Sequence, residues 1–276
     1  FDLNVKLIQK KDWYWDMSVN GYTYANKMLN LPDEYKVSGM PNGNQRIYEG
    51  KDIYRWEMRQ FAGLDEKGNS LWYMDQDILD DAGNVVGVEK VTTGDATEAT
   101  QYLLEKSALP DFTGGLNTTL RWKSLDLTIM TNFQFGGYGY DYDFSAFSSA
   151  NFPMNRLKNY ADAWNPETGK GSAPIWNTND SNINASSDRF LISKTYFNLR
   201  NITLGYTFPA NWMSKIGIKS VRVYFACDNV FFASKRKGYD PRTSMGGQGA
   251  TVALNSVDGT YYSPIRTTSV GLNINF

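Results

Sequence analysis

The sequence predicts an all-β protein and, within that class, a transmembrane antiparallel β-barrel with short periplasmic turns and long extracellular loops. Three observations carry this reading: apolar and polar residues alternate along successive segments, charge is sorted to one parity, and the connections alternate between short and long.

The alternation is clearest at the C-terminus, where Val270, Leu272, Ile274 and Phe276 share one face and Thr267, Ser269, Gly271, Asn273 and Asn275 the other. Upstream, Val221, Val223, Phe225 and Cys227 oppose Arg222, Tyr224, Ala226 and Asp228. Ile202, Leu204, Tyr206 and Phe208 oppose Asn201, Thr203, Gly205 and Thr207. The same holds for Leu125, Leu127, Ile129, Thr131 and Phe133, and for Phe112, Gly114, Leu116, Thr118, Leu120 and Trp122. Near the start, Trp13, Trp15, Met17 and Val19 follow Phe1, Leu3, Val5 and Leu7. Two weaker segments, 53–63 and 70–75, bring the expected count to nine strands.

In the six best strands the inner part of the apolar face is uncharged, while Asp16, Arg121, Asp126, Arg222 and Asp228 fall on the other parity. A mid-depth Arg or Lys on a lipid-facing barrel wall costs about 2–4 kcal/mol, so a barrel requires this sorting. A soluble β-sandwich also has one oily and one wet face, and parity alone leaves both open. Connection length separates them. Short turns at 10–12, 65–69, 123–124 and 209–217 alternate with long connections at 23–52, 76–111, 137–192 and 233–262. Antiparallel strands therefore place every short turn at one end and every long loop at the other. Trp13, Trp15, Trp122, Phe208, Trp212 and Phe276 gather near the short turns, where an interfacial girdle belongs.

Composition excludes several chemistries. The 276 residues contain no histidine and one cysteine, Cys227, so Ser-His-Asp and Cys-His catalysis, His-ligated zinc and an internal disulfide are ruled out. A net charge of −1 gives no argument for nucleic acid, and no pattern of paired carboxylates specifies glycosidase chemistry, so no enzymatic role is expected. No stretch approaches 18 consecutive apolar residues, which excludes a membrane-spanning helix, and the mean hydropathy of −0.48 suits the average of an oily exterior and a wet lumen. Bacterial barrels have even strand counts, and an open sheet leaves edges that lipid does not tolerate. The expectation is that residues 1–276 are the C-terminal part of a longer protein, with the plug domain and N-terminal strands not present in this chain.

Five stretches in order carry a family resemblance: LPDFTGGLNTTLRWKSLDLTIMTNFQFGG (109–137), DAWNPETG (162–169), RFLISKTYFNLRNITLGYTFP (189–209), SVRVYFACDNVFFASKRKGYDPR (220–242) and SPIRTTSVGLNINF (263–276). YEGKDIYRWEMRQFAGLDEKGNSLWY (48–73) is the best match of the N-terminal region. On these the chain resembles the C-terminal third of SusC/RagA-type TonB-dependent outer-membrane transporters. The resemblance implies a 22-stranded barrel with an internal plug, coupling to the TonB complex through the missing plug segment, and a SusD-like surface lipoprotein acting as a lid. It implies import of oligosaccharides or peptides and localisation in the cell outer membrane with outer-membrane lipid around the wall; no cofactor is expected. A passive porin or adhesin barrel and a soluble all-β glycan-binding module are the alternative functions.

Candidate residues follow. GYGYDYDFSAF (137–147) and GYDPR (238–242) lie on the long-loop side, and flat Tyr rings beside Asp can stack on sugar while the carboxylates accept hydroxyl hydrogen bonds. The substrate-binding or lid-contact candidates are Tyr138, Tyr140, Tyr142, Asp143, Tyr239 and Asp240; the bland alternative for them is an outer girdle and, for 238–242, turn chemistry. By the resemblance, Phe276 is the signal read by the barrel-assembly machinery. Gly114-Gly115 and Gly136-Gly137 are expected to be bends or bulges. An Asn-rich strip, Asn117, Asn132, Asn201, Asn273 and Asn275, is expected to line the lumen and pack against a plug or neighbouring wall. Asp75, Asp77, Asp80 and Asp81 faintly resemble a calcium loop but lack the bidentate Glu of an EF-hand, so they read as a solvated acidic loop.

Overall fold

Sixteen strands form in the computed structural model, which describes residues 1–148, 162–177, 180, 182–235 and 265–276. In chain order they are β1 (Asp2–Gln9), β2 (Trp13–Tyr22), β3 (Met40–Asn42), β4 (Gln45–Ile47), β5 (Arg55–Arg59), β6 (Phe61–Leu64), β7 (Ser70–Leu79), β8 (Val85–Thr93), β9 (Gln101–Ser107), β10 (Phe112–Trp122) and β11 (Leu125–Phe135). There follow β12 (Tyr138–Tyr140), a short helix α1 (Tyr142–Phe147), β13 (Leu191–Ser193), β14 (Tyr196–Thr207), a single helical turn α2 (Ala210–Met213), β15 (Ser220–Ser234) and β16 (Thr267–Asn275).

Seven of these make one antiparallel wall in the order β1-β2-β10-β11-β14-β15-β16. Its register turns the alternation along each strand into rows across the sheet. Ile8, Trp15, Leu120, Leu127, Leu204, Phe225 and Val270 are successive partners on one face. Trp13, Trp122, Leu125, Tyr206, Val223 and Leu272 form the next row on that face. The opposite face carries Lys6, Asp16, Thr119, Thr128, Thr203, Ala226 and Ser269 in line. The apolar rows are open to their surroundings: Leu204, Phe225 and Val270 are 48%, 47% and 77% exposed. An uncovered apolar sheet face of this extent matches a wall bathed in hydrocarbon. Polar groups on it are satisfied within the sheet, as hydrocarbon demands. The Trp15 indole donates to the Thr118 hydroxyl at 2.8 Å, and Thr118 and Thr131 donate to the carbonyls of Asp16 and Leu116 at 2.7 Å each.

Bulges in β1, β14 and β15 keep the rows in line; in β15 Asn229, at φ +51°, and Val230 both stand opposite Arg200. In β1 the register shifts between Lys6 and Ile8, so Leu7 is the extra residue and Ile8, rather than Leu7, opposes Trp15. In β14 the shift falls between Leu199 and Asn201. The apolar set is odd-numbered before it, Phe197 and Leu199, and even-numbered after it, Ile202 to Tyr206; Arg200 absorbs the change of parity. Gly114-Gly115, expected to be a bulge, pairs in regular register with both neighbours. Gly136 and Gly137, both at φ +73°, do turn the chain out of β11, in a conformation that a side chain disfavours.

The wall has seven strands where nine were expected, because segments 53–63 and 70–75 leave it. β5 joins a four-stranded sheet with β3, β4 and β9, and β7 joins a three-stranded sheet with β6 and β8. Their alternation is genuine, but it buries Trp56 and Met58, and Ser70 and Trp72, against protein. Period 2 reports a one-sided strand and is silent about which medium covers the apolar side. The 65–69 turn moves with them into the loop region, where the Asp65 carboxylate accepts the N–H groups of Lys67 and Asn69. Connections between wall strands still alternate: 10–12, 123–124 and 208–219 at one end, 23–111, 136–195 and 235–266 at the other. Among the described residues β1 and β16 each pair on one side only, so the wall they form is open at both edges.

Candidate functional site

The buried core lies in the long-connection region. Trp56, Met58, Leu104, Ala108, Tyr140, Phe190 and Leu191 form one cluster, with Tyr54, Tyr102, Tyr138 and Phe144 packed on it. Trp72, Ala96 and Ala99 form a second, with Phe61 and Ala185. The first draws on β5, β9, β12 and β13, so segments far apart in sequence close into a cap fed from the long-loop end of the wall. The Trp56 indole donates to the Tyr138 carbonyl at 3.2 Å. Glu57, 8% exposed, accepts from Arg46 at 2.6 Å and from the Tyr48 hydroxyl at 2.9 Å, which gives a nearly buried carboxylate two donors. Burial and the Glu57 partner hold the Tyr48 phenol above its ordinary value.

The sequence candidates divide within this cap. Tyr140 is 3% exposed and its ring lies against Phe190 and Tyr142, so it is a core residue with no ring face open to a solute. Its hydroxyl donates to Ser145 at 3.2 Å, and burial raises its pKa. Tyr138 is half-buried under the Lys106 ammonium, 5.3 Å from its ring centroid. Asp141, fully buried, caps α1 by accepting the Phe144 N–H at 2.9 Å. Tyr142 remains 45% exposed, its pKa raised by burial of the remainder. Tyr239, Asp240 and the Asp143 side chain lie outside the described residues. Phe276 follows β16 and is 77% exposed. The acidic segment is turn chemistry: Asp80 accepts the N–H groups of Asn84 and Ala82 in the β7–β8 hairpin, which lowers its pKa, and Asp75 accepts the Tyr102 hydroxyl at 2.5 Å.

The polar face of the wall divides into two levels. Nearer the short turns, Asp126 and Arg222 form a two-pronged ion pair at 3.0 and 2.5 Å. They stand on β11 and β15, and the pair crosses β14 above Gly205, where a Cβ would sit 2.4 Å from Arg222 Nη2 and 2.6 Å from Asp126 Oδ1. The absent side chain is what lets the bridge span three strands. Arg222 also lies 5.1 Å from the Tyr224 ring centroid, and Arg121 lies 5.5 Å from that of Tyr14. Nearer the long loops, Asn198, 1% exposed, donates to Asn132 at 2.7 Å, and Asn201 donates to Asp228 at 2.8 Å. The Asn residues thus bond across strands, in keeping with a structural lining.

The upper level also holds aromatic rings that the sequence reading passed over. Tyr22, Tyr196 and Phe232 stand on the polar parity within one step of the same level, Tyr22 with 60% of its surface exposed. The Tyr196 and Phe232 rings stack with centroids 5.7 Å apart. A signal exists in the sequence for Tyr22 and Phe232, each an aromatic residue on the wet parity in the half of its strand nearest a long connection; for Tyr196 the Arg200 bulge hides it, since its even number is the apolar parity of the rest of β14. Such rings beside amides can stack on a planar or pyranose group and hydrogen-bond to its edge. Deeper in the rim, burial pushes the Lys194 ammonium down to about 8.

Comparison with known proteins agrees with this architecture. The chain is 24% identical over 297 residues to TonB-dependent receptor P3 of Formosa agariphila, a match covering 100% of the chain and 28% of the relative. It is 25% identical over 283 residues to TonB-dependent receptor SusC of Bacteroides thetaiotaomicron, covering 100% and 26%. The solved structure of the RagAB peptide transporter superposes with a TM-score of 0.74 at 24% identity, covering 100% of this chain and 28% of that one. The chain therefore spans little more than a quarter of the length of the relatives it matches. No protein-family model matches it. These relatives are receptors and transporters rather than enzymes, and the fold is that of an outer-membrane β-barrel wall with its loops.

Proposed function

We propose that this chain, a portion of an outer-membrane barrel of the SusC/RagA type, is the C-terminal part of a TonB-dependent nutrient importer and supplies part of its wall and its extracellular cap. The carrying observation is the continuous apolar belt on one face of a wall whose other face is polar, joined at one end to loops that fold around their own core. Seven strands open at both edges need further strands in lipid, since unpaired backbone there costs several kcal/mol per group. Those strands, the plug and the TonB-contacting segment belong to the remainder of the receptor. Substrate, an oligosaccharide or a peptide, enters from the long-loop side, where Tyr22, Tyr196 and Phe232 line the wall below the cap. A SusD-like lipoprotein closes on the loops, Tyr142 being an exposed ring available for that contact. Phe276 serves as the recognition residue for the barrel-assembly machinery.

Uptake of labelled oligosaccharide and peptide mixtures by cells with and without the full-length receptor tests this. Import that requires both the receptor and TonB is expected. Import that persists without TonB would make the protein a passive porin, and release from cells without detergent would return it to a soluble binding module.

A further inference from the structure

On the short-turn side the apolar face ends at a pair of tryptophans. Trp13 of β2 and Trp122 of β10 are direct cross-strand partners, their rings stacked with centroids 5.7 Å apart and each residue 43% exposed. Immediately beyond them the turns 10–12 and 123–124 are tied together by a hydrogen bond from the Lys123 N–H to the Asp12 carbonyl at 2.8 Å. That bond gathers Lys10, Lys11 and Lys123 at one corner of the wall, all three exposed. The Lys123 ammonium lies 5.6 Å from the Trp122 ring centroid, at the boundary between the apolar belt and water. Among the described residues none of the three lysines belongs to an ion pair.

A second observation is independent of charge. Lys123 occupies a two-residue hairpin turn with φ +51°, in the left-handed region. Gly, Asn or Asp is the ordinary choice there, because a longer side chain crowds its own backbone. Local turn chemistry therefore disfavours lysine, and a side chain held against its backbone preference points to a use for the side chain. Its ammonium makes no hydrogen bond or ion pair among those described, and its contact with the Trp122 ring leaves its N–H groups free for a ligand.

We propose that this corner is a binding site for the phosphate of an anionic glycerophospholipid in the periplasmic leaflet. The three ammonium groups would surround the phosphate, the indoles would sit at the level of the glycerol, and an acyl chain would lie along the adjoining apolar rows. The occupant is argued from continuity: the exposed indole faces open onto the same side as Leu120 and Leu125, which leads into the hydrocarbon-facing belt and away from the lumen. A soluble anion would satisfy the lysines and leave the stacked indoles uncovered. The inference rests on the barrel reading above.

The test uses the full-length receptor, refolded in neutral detergent and offered equal amounts of phosphatidylglycerol and phosphatidylcholine, with retained lipid counted by native mass spectrometry. A preference for phosphatidylglycerol of about fivefold per lysine is expected, shrinking as salt is raised. Lys123→Asn should fold at least as well as wild type, because it relieves the left-handed backbone, and should lose about fivefold of the preference. The triple variant Lys10→Gln, Lys11→Gln, Lys123→Asn should lose all of it, whereas Lys106→Gln, the same charge removed from the cap, should lose none. Equal retention of phosphatidylglycerol by wild type and the triple variant overturns the site while leaving the barrel intact. A receptor that neither inserts into bilayers nor needs detergent overturns the barrel reading itself.

Discussion

The seven-stranded wall and the loop cap are built from the same alternating strands and put their apolar residues in opposite places. In the wall Leu204, Phe225 and Val270 face outward and stand exposed, while Asp126 and Arg222 face inward and pair. In the cap Trp56, Met58 and Phe190 are buried, and the surface mixes charge, as in the 85% exposed side chain of Glu105 beside Arg55, with apolar residues left open on the β7–β8 hairpin, Ile78, Leu79, Val85, Val86 and Val88. One chain is thus matched to two solvents. The wall is stabilised by hydrocarbon that covers its apolar face, and the cap by the transfer of its core residues out of water.

The largest effect that separates the regions should come from emptying the cap core. Phe190→Ala removes a ring with 0% exposure that contacts Tyr140 and Phe144, and should cost about 3–5 kcal/mol. Because no wall strand contributes to that cluster among the described residues, limited proteolysis should cut the loops of the variant while its barrel keeps its heat-resistant mobility in gels. Loss of both together would show that cap and wall form a single cooperative unit.

The reciprocal substitution is smaller. Ile202→Arg places a charge in a row running from Val5 to Thr268, two steps in from the Trp13–Trp122 pair, and should cost about 2–4 kcal/mol of folding into bilayers, read from denaturant titration in vesicles. The same change on the polar parity, Thr203→Arg, should cost much less. Equal costs on the two faces would show that hydrocarbon does not cover one of them alone.

The legibility of these regions in the sequence differs for the same physical reason. Wall parity was readable because lipid punishes any charged exception along a whole row, so each strand repeats one message. The bulges were not: Arg200 and Leu7 look like ordinary strand residues, and only cross-strand register shows that each absorbs a step. Segments 53–63 and 70–75 alternate, if more weakly than the wall strands, yet belong to the cap, because the medium that covers an apolar side leaves no mark on the period. Among the candidate residues, Tyr140 was singled out for its neighbours in sequence, Tyr138 and Tyr142, and burial makes it part of the core. Tyr22 and Phe232 were overlooked because a lone aromatic on the wet parity carries weight only when its level on the wall is known.

The smallest effect concerns the join between the two cap sheets. Tyr102 on β9 donates its hydroxyl to Asp75 on β7 at 2.5 Å, and the Lys90 ammonium lies over its ring at 4.3 Å. Burial, then the Asp75 hydrogen bond, raises the phenol from 10.0 to about 12. A raised folded value means that the unfolded chain loses this proton first. The contribution of the contact to stability is therefore complete below pH 10, declines as pH rises, and is gone above about 12. Once ionised, the phenolate offers no proton and faces a carboxylate, so the sheets part at that point. Comparing wild type with Tyr102→Phe isolates this residue from the other tyrosines: tryptophan fluorescence of the cap should diverge between the two proteins only within that window, while the gel mobility of the barrel stays the same in both. A divergence that begins near neutral pH would assign the join to other groups, with Asp75 and Tyr102 contributing only their packing.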